Sequence, residues 1–302
     1  MLSPRWRWRL DRWRQHLAAL LASRHAQPKP RLCPACGLLV GAQERSCSHC
    51  GASMAALSFT GLRRIAMALL PAENPITYAL LYANLLFFVA AWVISMRLDG
   101  GPPALFTQLD PRVLLQFGAK QGYRIFYLHE YWRLVMPIFL HAGLIHFGFN
   151  SFVLWQVGPQ VEELFGSRRF LFLYLATGVV GFLVSAWWYH PLAQSVGSSG
   201  SIFGLIGILI SYISQASGFA SQYRASLIRW AVFILIMGVF MPFDNAAHIG
   251  GLLSGLALGR TVSDRRPATP AQQFTVWLMV WGSTAVILAS VAMTMLHLPP
   301  LS

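Results

Sequence analysis

Two short stretches of the sequence put groups that could do chemistry where neither is expected. Gly197-Ser198-Ser199-Gly200 has the composition of a water-exposed turn, yet it runs directly into the apolar stretch 202–213. His248 stands near the start of a second apolar stretch, 246–259, and His146 with Asn150 near the start of a third, 144–161. A buried hydroxyl without a partner costs a few kcal/mol, so some use for it is expected. A serine that meets a histidine has one well-defined use: the imidazole takes the hydroxyl proton as the oxygen attacks and returns it to the leaving group. Asn150 and His146 nearby could donate hydrogen bonds to the oxyanion that develops. The glycines around Ser199 permit an unusual turn and leave backbone N–H groups free at a helix start, adding donors and a favourable dipole. With Ser199 as nucleophile and His248 as general base and acid, these parts suffice for acyl transfer if water reaches them.

The elements that must position these groups are membrane helices. Of the 302 residues, 56% are hydrophobic and only 11% charged, and mean hydropathy is +0.53, a balance foreign to ordinary soluble domains. Apolar runs fall at 78–96, 170–189, 202–214, 228–241 and 274–295. Two weaker runs, 144–161 and 246–259, carry histidine and glycine and complete a set of seven. If residue 215 ends the fourth span, Ser199 lies 16 residues away, about 24 Å along a helix, against a hydrocarbon core of roughly 30 Å. Similar sums put Asn150 and His248 about 18 Å from the same side. The three groups therefore share a depth below the membrane surface, where non-helical backbone is tolerated only against a wet cavity. Packing favours their meeting: His248, Gly251, Gly255 and Gly259 share one helix face, and Gly200, Gly204 and Gly207 form another, so two backbones can approach closely.

Charge gives an orientation. No cleavable signal peptide is read at the start, where the longest apolar stretch is only 17–22. With residues 1–76 inside, 18 Lys and Arg fall on the inner side and five on the outer, which predicts a cytoplasmic N-terminus in a cell inner membrane and a site opening outward. The net charge of +13 then reads as a topology signal and an attraction to the anionic lipid bilayer; no nucleic-acid partner is expected. Residues 1–30, rich in alternating Arg and Trp, read either as a basic amphipathic helix at the inner headgroups or as a disordered basic tail. Within 31–52 all four cysteines of the chain, Cys33, Cys36, Cys47 and Cys50, stand as Cys-x2-Cys-x10-Cys-x2-Cys, each pair followed by glycine. That spacing matches two knuckles converging on one tetrahedral zinc, and a reducing compartment argues against disulfides. A structural zinc would supply the folding energy of so small a module. Residues 53–75 read as a linker, 76–260 as the six-helix core, and 261–302 as a loop and a seventh span.

On these residues the chain resembles the rhomboid intramembrane serine proteases. GSSGSIFG resembles their Gly-x-Ser-Gly motif, NAAHIGGLLSG their histidine helix, and HAGLIHFGFN their His-x4-His-x3-Asn segment, while YWRLVMPIFLH and GPQVEELFG resemble flanking Trp-Arg and Glu-x3-Gly motifs. The resemblance covers about residues 75–260 and keeps the family order. It implies an all-α polytopic fold, a rhomboid-like six-helix core plus one C-terminal transmembrane helix, here preceded by the zinc ribbon. It further implies a Ser199–His248 dyad, Asn150 and His146 as oxyanion donors, no cofactor for catalysis, and transmembrane proteins as substrates. Trp132-Arg133 would belong to a membrane-embedded loop structure, and Glu162 with Gly166 would brace the inner end of the second span. Phe203 stands where many members have tyrosine, keeping a ring for packing on His248.

Competing assignments are weaker. His141 reads as an interfacial residue capping the second span, and Asp244 as a helix cap in preference to a triad acid. A metalloprotease built on His146, His248 and Asn150 would lack the His-Glu-x2-His helix and leave Ser199 idle. A catalytically silent rhomboid-like scaffold that binds membrane clients is the runner-up, although both dyad residues are present. A transporter would want ionisable groups within several spans, and these spans offer almost none beyond histidine.

Overall fold

A computed structural model describes residues 31–32, 39–41, 44, 48–49, 73–99, 109–214, 218–265 and 267–297. The chain divides into two units, Met1–Leu69 and Leu70–Ser302. In the first, strands β1 (Arg31–Leu32) and β2 (Leu39–Val40) pair antiparallel, Arg31 opposite Val40 and Leu32 opposite Leu39. The four cysteines and the Arg/Trp-rich stretch lie outside the described residues.

The second unit is helical: α1 (Pro75–Asp99), α2 (Pro111–Gln116), α3 (Gly122–Phe126), α4 (Leu144–Phe165), α5 (Ser167–Trp188), α6 (Ser199–Tyr212), α7 (Phe219–Phe240), α8 (Asn245–Thr261) and α9 (Pro270–His297). Each of the seven apolar stretches lies, to within two residues at its end, in one of the helices α1 and α4–α9. Among the described residues, α1, α5, α7 and α9 are long and apolar enough to cross a membrane unaided. The helices that carry the polar groups differ. With 14 residues α6 is about 21 Å long and with 17 residues α8 about 26 Å, both short of a bilayer core of roughly 30 Å. An element that starts or stops below the surface leaves its first residues submerged, and Ser199 is the first residue of α6.

Burial explains the composition of α6. From Gly200 to Ser211 every residue is buried, which fits a helix of glycines and apolar residues in which Ser201 and Ser211 are the polar exceptions. Its partner is α8, in parallel and constant register. A side chain on Gly251 would overlap the carbonyl oxygen of Gly200, one on Gly255 that of Gly204, and one on Gly259 would come within 2.9 Å of the Ile208 oxygen. Backbone meets backbone along the whole seam, which only the small-residue faces allow. On the far side of α6, Thr177 of α5 occupies the space a side chain on Gly204 would need.

One helix differs from the sequence expectation. The fifth apolar run is expected at 228–241, with Arg224 and Arg229 counted among the inner-side charges, but α7 starts at Phe219 and takes both arginines into the helix. Near a helix end a long arginine stem can lie along apolar surface while its head reaches the polar layer, so these charges do not break the helix.

Buried polar anchors fix the two ends of the helices. Glu162 of α4, 2% exposed, accepts from the backbone N–H groups of Ile76 and Thr77 at 3.0 and 2.8 Å, from the Thr77 hydroxyl at 2.7 Å and from the Ser167 hydroxyl at 2.6 Å. One carboxylate thus caps α1 and ties it to the start of α5, where anionic groups are favoured by the helix dipole. Gly166, with φ +78°, makes the turn between α4 and α5. At the opposite end, β3 (Lys120–Gln121) pairs antiparallel with β4 (Gln194–Ser195), fastening the loop after α1 to the segment that leads into Ser199.

Candidate active site

Gly197 makes the turn before α6. Its φ of +129° is one that residues with a Cβ rarely adopt, and its N–H donates to the Pro137 carbonyl at 2.9 Å. Space forbids a side chain there as well: a Cβ would lie 2.7 Å from both Cε1 and Nε2 of His146, and 3.7 Å from the Ser199 hydroxyl. The His146 ring and the Ser199 hydroxyl therefore both border the Gly197 Cα. Ser199 itself is half-buried.

His248 enters from the first turn of α8, and its Nε2 lies 2.9 Å from Ser199 Oγ. The ring is held face to face by Phe203, with centroids 4.4 Å apart and planes 4° from parallel, and Phe203 in turn packs on Trp230 of α7. For Nε2 to accept the serine proton, the neutral ring must carry its own hydrogen on Nδ1. Nδ1 is buried and meets no hydrogen-bond partner in the protein. Asp244 does not supply one. Its Oδ1 caps α8 by accepting from Ala247 N at 2.9 Å, and its Oδ2 accepts from the Ser185 hydroxyl at 2.5 Å. Both oxygens are engaged away from the imidazole, in keeping with a cap and not a triad acid.

The other two expected site residues fall close by, in different settings. His146 Nδ1 accepts from Ala142 N at 3.4 Å, which leaves the ring hydrogen on Nε2, the nitrogen beside Gly197. Asn150, 2% exposed, donates through Nδ2 to the His146 carbonyl at 3.0 Å, within its own helix. His141 departs from the sequence expectation of an interfacial cap. It is 1% exposed, its Nε2 lies 3.4 Å from the Ser198 hydroxyl, and its ring meets His146 edge-on at 5.4 Å. Gly143, not His141, is the N-cap of α4. Among the described residues no group of three or more His, Cys, Asp or Glu converges as metal ligands would.

Comparison with known proteins places the chain in a family. The Rhomboid domain model matches residues 128–265. YdcA of Bacillus subtilis (strain 168), a rhomboid relative, is 31% identical over 194 residues that span 62% of this chain and 92% of its own length. The chain belongs to the rhomboid family. It is also 34% identical over 184 residues to the rhomboid protease GluP of Bacillus subtilis (strain 168), across 59% of this chain and 33% of GluP. With rhomboid-like protease 1 of Toxoplasma gondii it shares 30% identity over 208 residues, 65% of this chain and 66% of the relative. This chain therefore spans only a third of GluP and just under two thirds of the Toxoplasma relative.

In this rhomboid the loop between α1 and α4 is built around Arg133. The guanidinium, 3% exposed, donates to the carbonyls of Leu115 at 2.6 Å and Ala119 at 3.2 Å, pairs with Glu130, and lies 4.3 Å over the Trp132 ring. A planar fork satisfies several carbonyls of a non-helical loop at once. The Pro137 carbonyl that anchors Gly197 belongs to the same loop, just past this arginine.

Proposed function

We propose that this rhomboid is an intramembrane serine protease that hydrolyses peptide bonds in or beside transmembrane segments of other membrane proteins. The observation that carries the proposal is the 2.9 Å approach of His248 Nε2 to Ser199 Oγ across the α6–α8 seam. In the proposed reaction Ser199 Oγ attacks the scissile carbonyl while its proton passes to His248 Nε2. The carbonyl oxygen becomes an oxyanion beside Gly197, where His146 Nε2–H faces it and the start of α6 contributes its dipole. Asn150, hydrogen-bonded to the His146 carbonyl, holds that turn of α4 and could offer its second amide hydrogen. His248 then protonates the departing amine, and water, activated by the same nitrogen, releases the acyl group from Ser199. Phe203 keeps the imidazole plane fixed through both transfers.

The setting proposed is a cell membrane with the N-terminus cytoplasmic and the site opening to the outer side, supported by the distribution of Lys and Arg. The test is cleavage of a single-span substrate in liposomes. Ser199→Ala and His248→Ala are each expected to abolish it while thermal unfolding stays near that of the unaltered protein; undiminished cutting by either variant overturns the assignment.

We further propose that Cys33, Cys36, Cys47 and Cys50 hold one structural zinc, which would fix two knuckles and take no part in the chemistry. The spacing supports this, as does the β1–β2 pairing, which brings together the two chain ends that flank the first Cys-x2-Cys. Metal analysis of the full-length protein under reducing conditions is expected to give about one zinc per chain, lost on replacing the cysteines with serine.

A further inference from the structure

Behind the turn that carries Ser199 lies a group of polar side chains with no role in the steps above. Asn84 of α1 is 0% exposed, and neither its amide nitrogen nor its oxygen meets a hydrogen-bond partner. The Tyr174 hydroxyl of α5 is equally buried and equally unpartnered. Asn84 and the Ser198 hydroxyl are the polar groups that the Tyr174 hydroxyl faces, yet neither reaches it in hydrogen-bond geometry. Ser198 is itself fully buried, is the N-cap of α6, and touches His141 Nε2. Two helices and the nucleophile turn thus direct polar atoms at one interior place.

Leaving each such group unpaired is costly, the more so where no bulk water is near. Here four donor or acceptor atoms lie together, and none of them is hydrogen-bonded to another. A water needs two to four polar partners, and such a site supplies them: the Asn84 amide oxygen and nitrogen, the Tyr174 hydroxyl and the Ser198 hydroxyl. We infer that Asn84, Tyr174 and Ser198 hold an internal water behind the nucleophile turn, separate from the hydrolytic water on the substrate side. Bound there, the water joins α1 and α5 to Ser198, and through His141 and His146 to the wall of Gly197. Asn84 and Tyr174 are then positioning residues for the turn, a role that rests on the proposed protease reading; the water site itself does not depend on it.

Radiolytic hydroxyl-radical footprinting of the full-length protein in lipid nanodiscs tests the site directly, because radicals born at a bound water oxidise the side chain beside it. Tyr174, inaccessible to bulk solvent, is expected to be labelled at a rate approaching that of Tyr127, which is 68% exposed. Asn84→Leu should abolish the labelling of Tyr174 and leave that of Tyr127 unchanged, while Asn84→Asp, which keeps the acceptors, should retain it. Absence of Tyr174 oxidation in the unaltered protein overturns the inference whatever the variants do, and so does full labelling in Asn84→Leu. The readout requires no cleavage, so loss of the protease reading would leave this result standing, and the reverse.

Discussion

His248 offers its Nε2 to Ser199 and leaves its Nδ1 without a protein partner, so orientation of the ring falls to stacking instead of a carboxylate. Phe203 lies flat against it at 4.4 Å, and Asp244, four residues away and the obvious candidate for a third member, spends one oxygen on Ala247 and the other on Ser185. Asp244→Asn should accordingly keep the cap, since the amide oxygen can still accept from Ala247, and lower the cleavage rate by less than about tenfold. Where a buried aspartate truly orients a catalytic histidine, the same change costs about 10⁴-fold, so a loss of that size would restore a triad. At this scale the sequence was informative about Ser199 and His248, whose types have few uses inside a membrane. His141 was misjudged because it stands ahead of the apolar run, where spacing says nothing of burial; only the folded loop turns it inward against Ser198. Asn84 and Tyr174 carry no such signal, each being one of several polar residues scattered through an ordinary apolar stretch.

At the scale of elements, the α6–α8 seam decides whether the two side chains meet. Gly200 faces Gly251, Gly204 faces Gly255 and Ile208 faces Gly259, and each close approach is to main chain, which cannot swing aside as a side-chain tip would. Gly255→Ala should therefore force the helices apart, costing about 1–3 kcal/mol or more by overpacking and reducing cleavage sharply although neither dyad residue is touched. A thermal-unfolding measurement beside the activity assay checks this; unchanged stability and activity would mean that the seam is looser than its geometry. The seam was legible beforehand because small residues at helical spacing are rarely accidental. The extent of α7 was not, since the apolar run begins only at residue 228 while the helix starts nine residues earlier at Phe219, taking in Arg224. Nor was the double duty of Glu162, whose motif was visible but whose partners, Ile76 and Thr77, lie far away in sequence.

The molecule as a whole sorts its helices by task. Among the described residues the four long apolar ones could each cross a bilayer alone, whereas the three that carry the histidines, the asparagine and the serine depend on the others for cover. That division lets the fold shelter a polar turn: α6 is short, and the loop built on Arg133 together with the β3–β4 pair is tied to the segment that leads into Ser199. Overall hydropathy made the membrane setting plain from composition, while the loop that shields the site carries no periodicity and took its shape only from tertiary contacts. The most direct test of the central claim is covalent labelling of the purified, membrane-reconstituted protein with a fluorophosphonate probe, read by mass spectrometry. The account predicts a single adduct on Ser199 that disappears in Ser199→Ala and fades in His248→Ala; labelling that persists in the serine variant, or never forms on a folded protein, would contradict it.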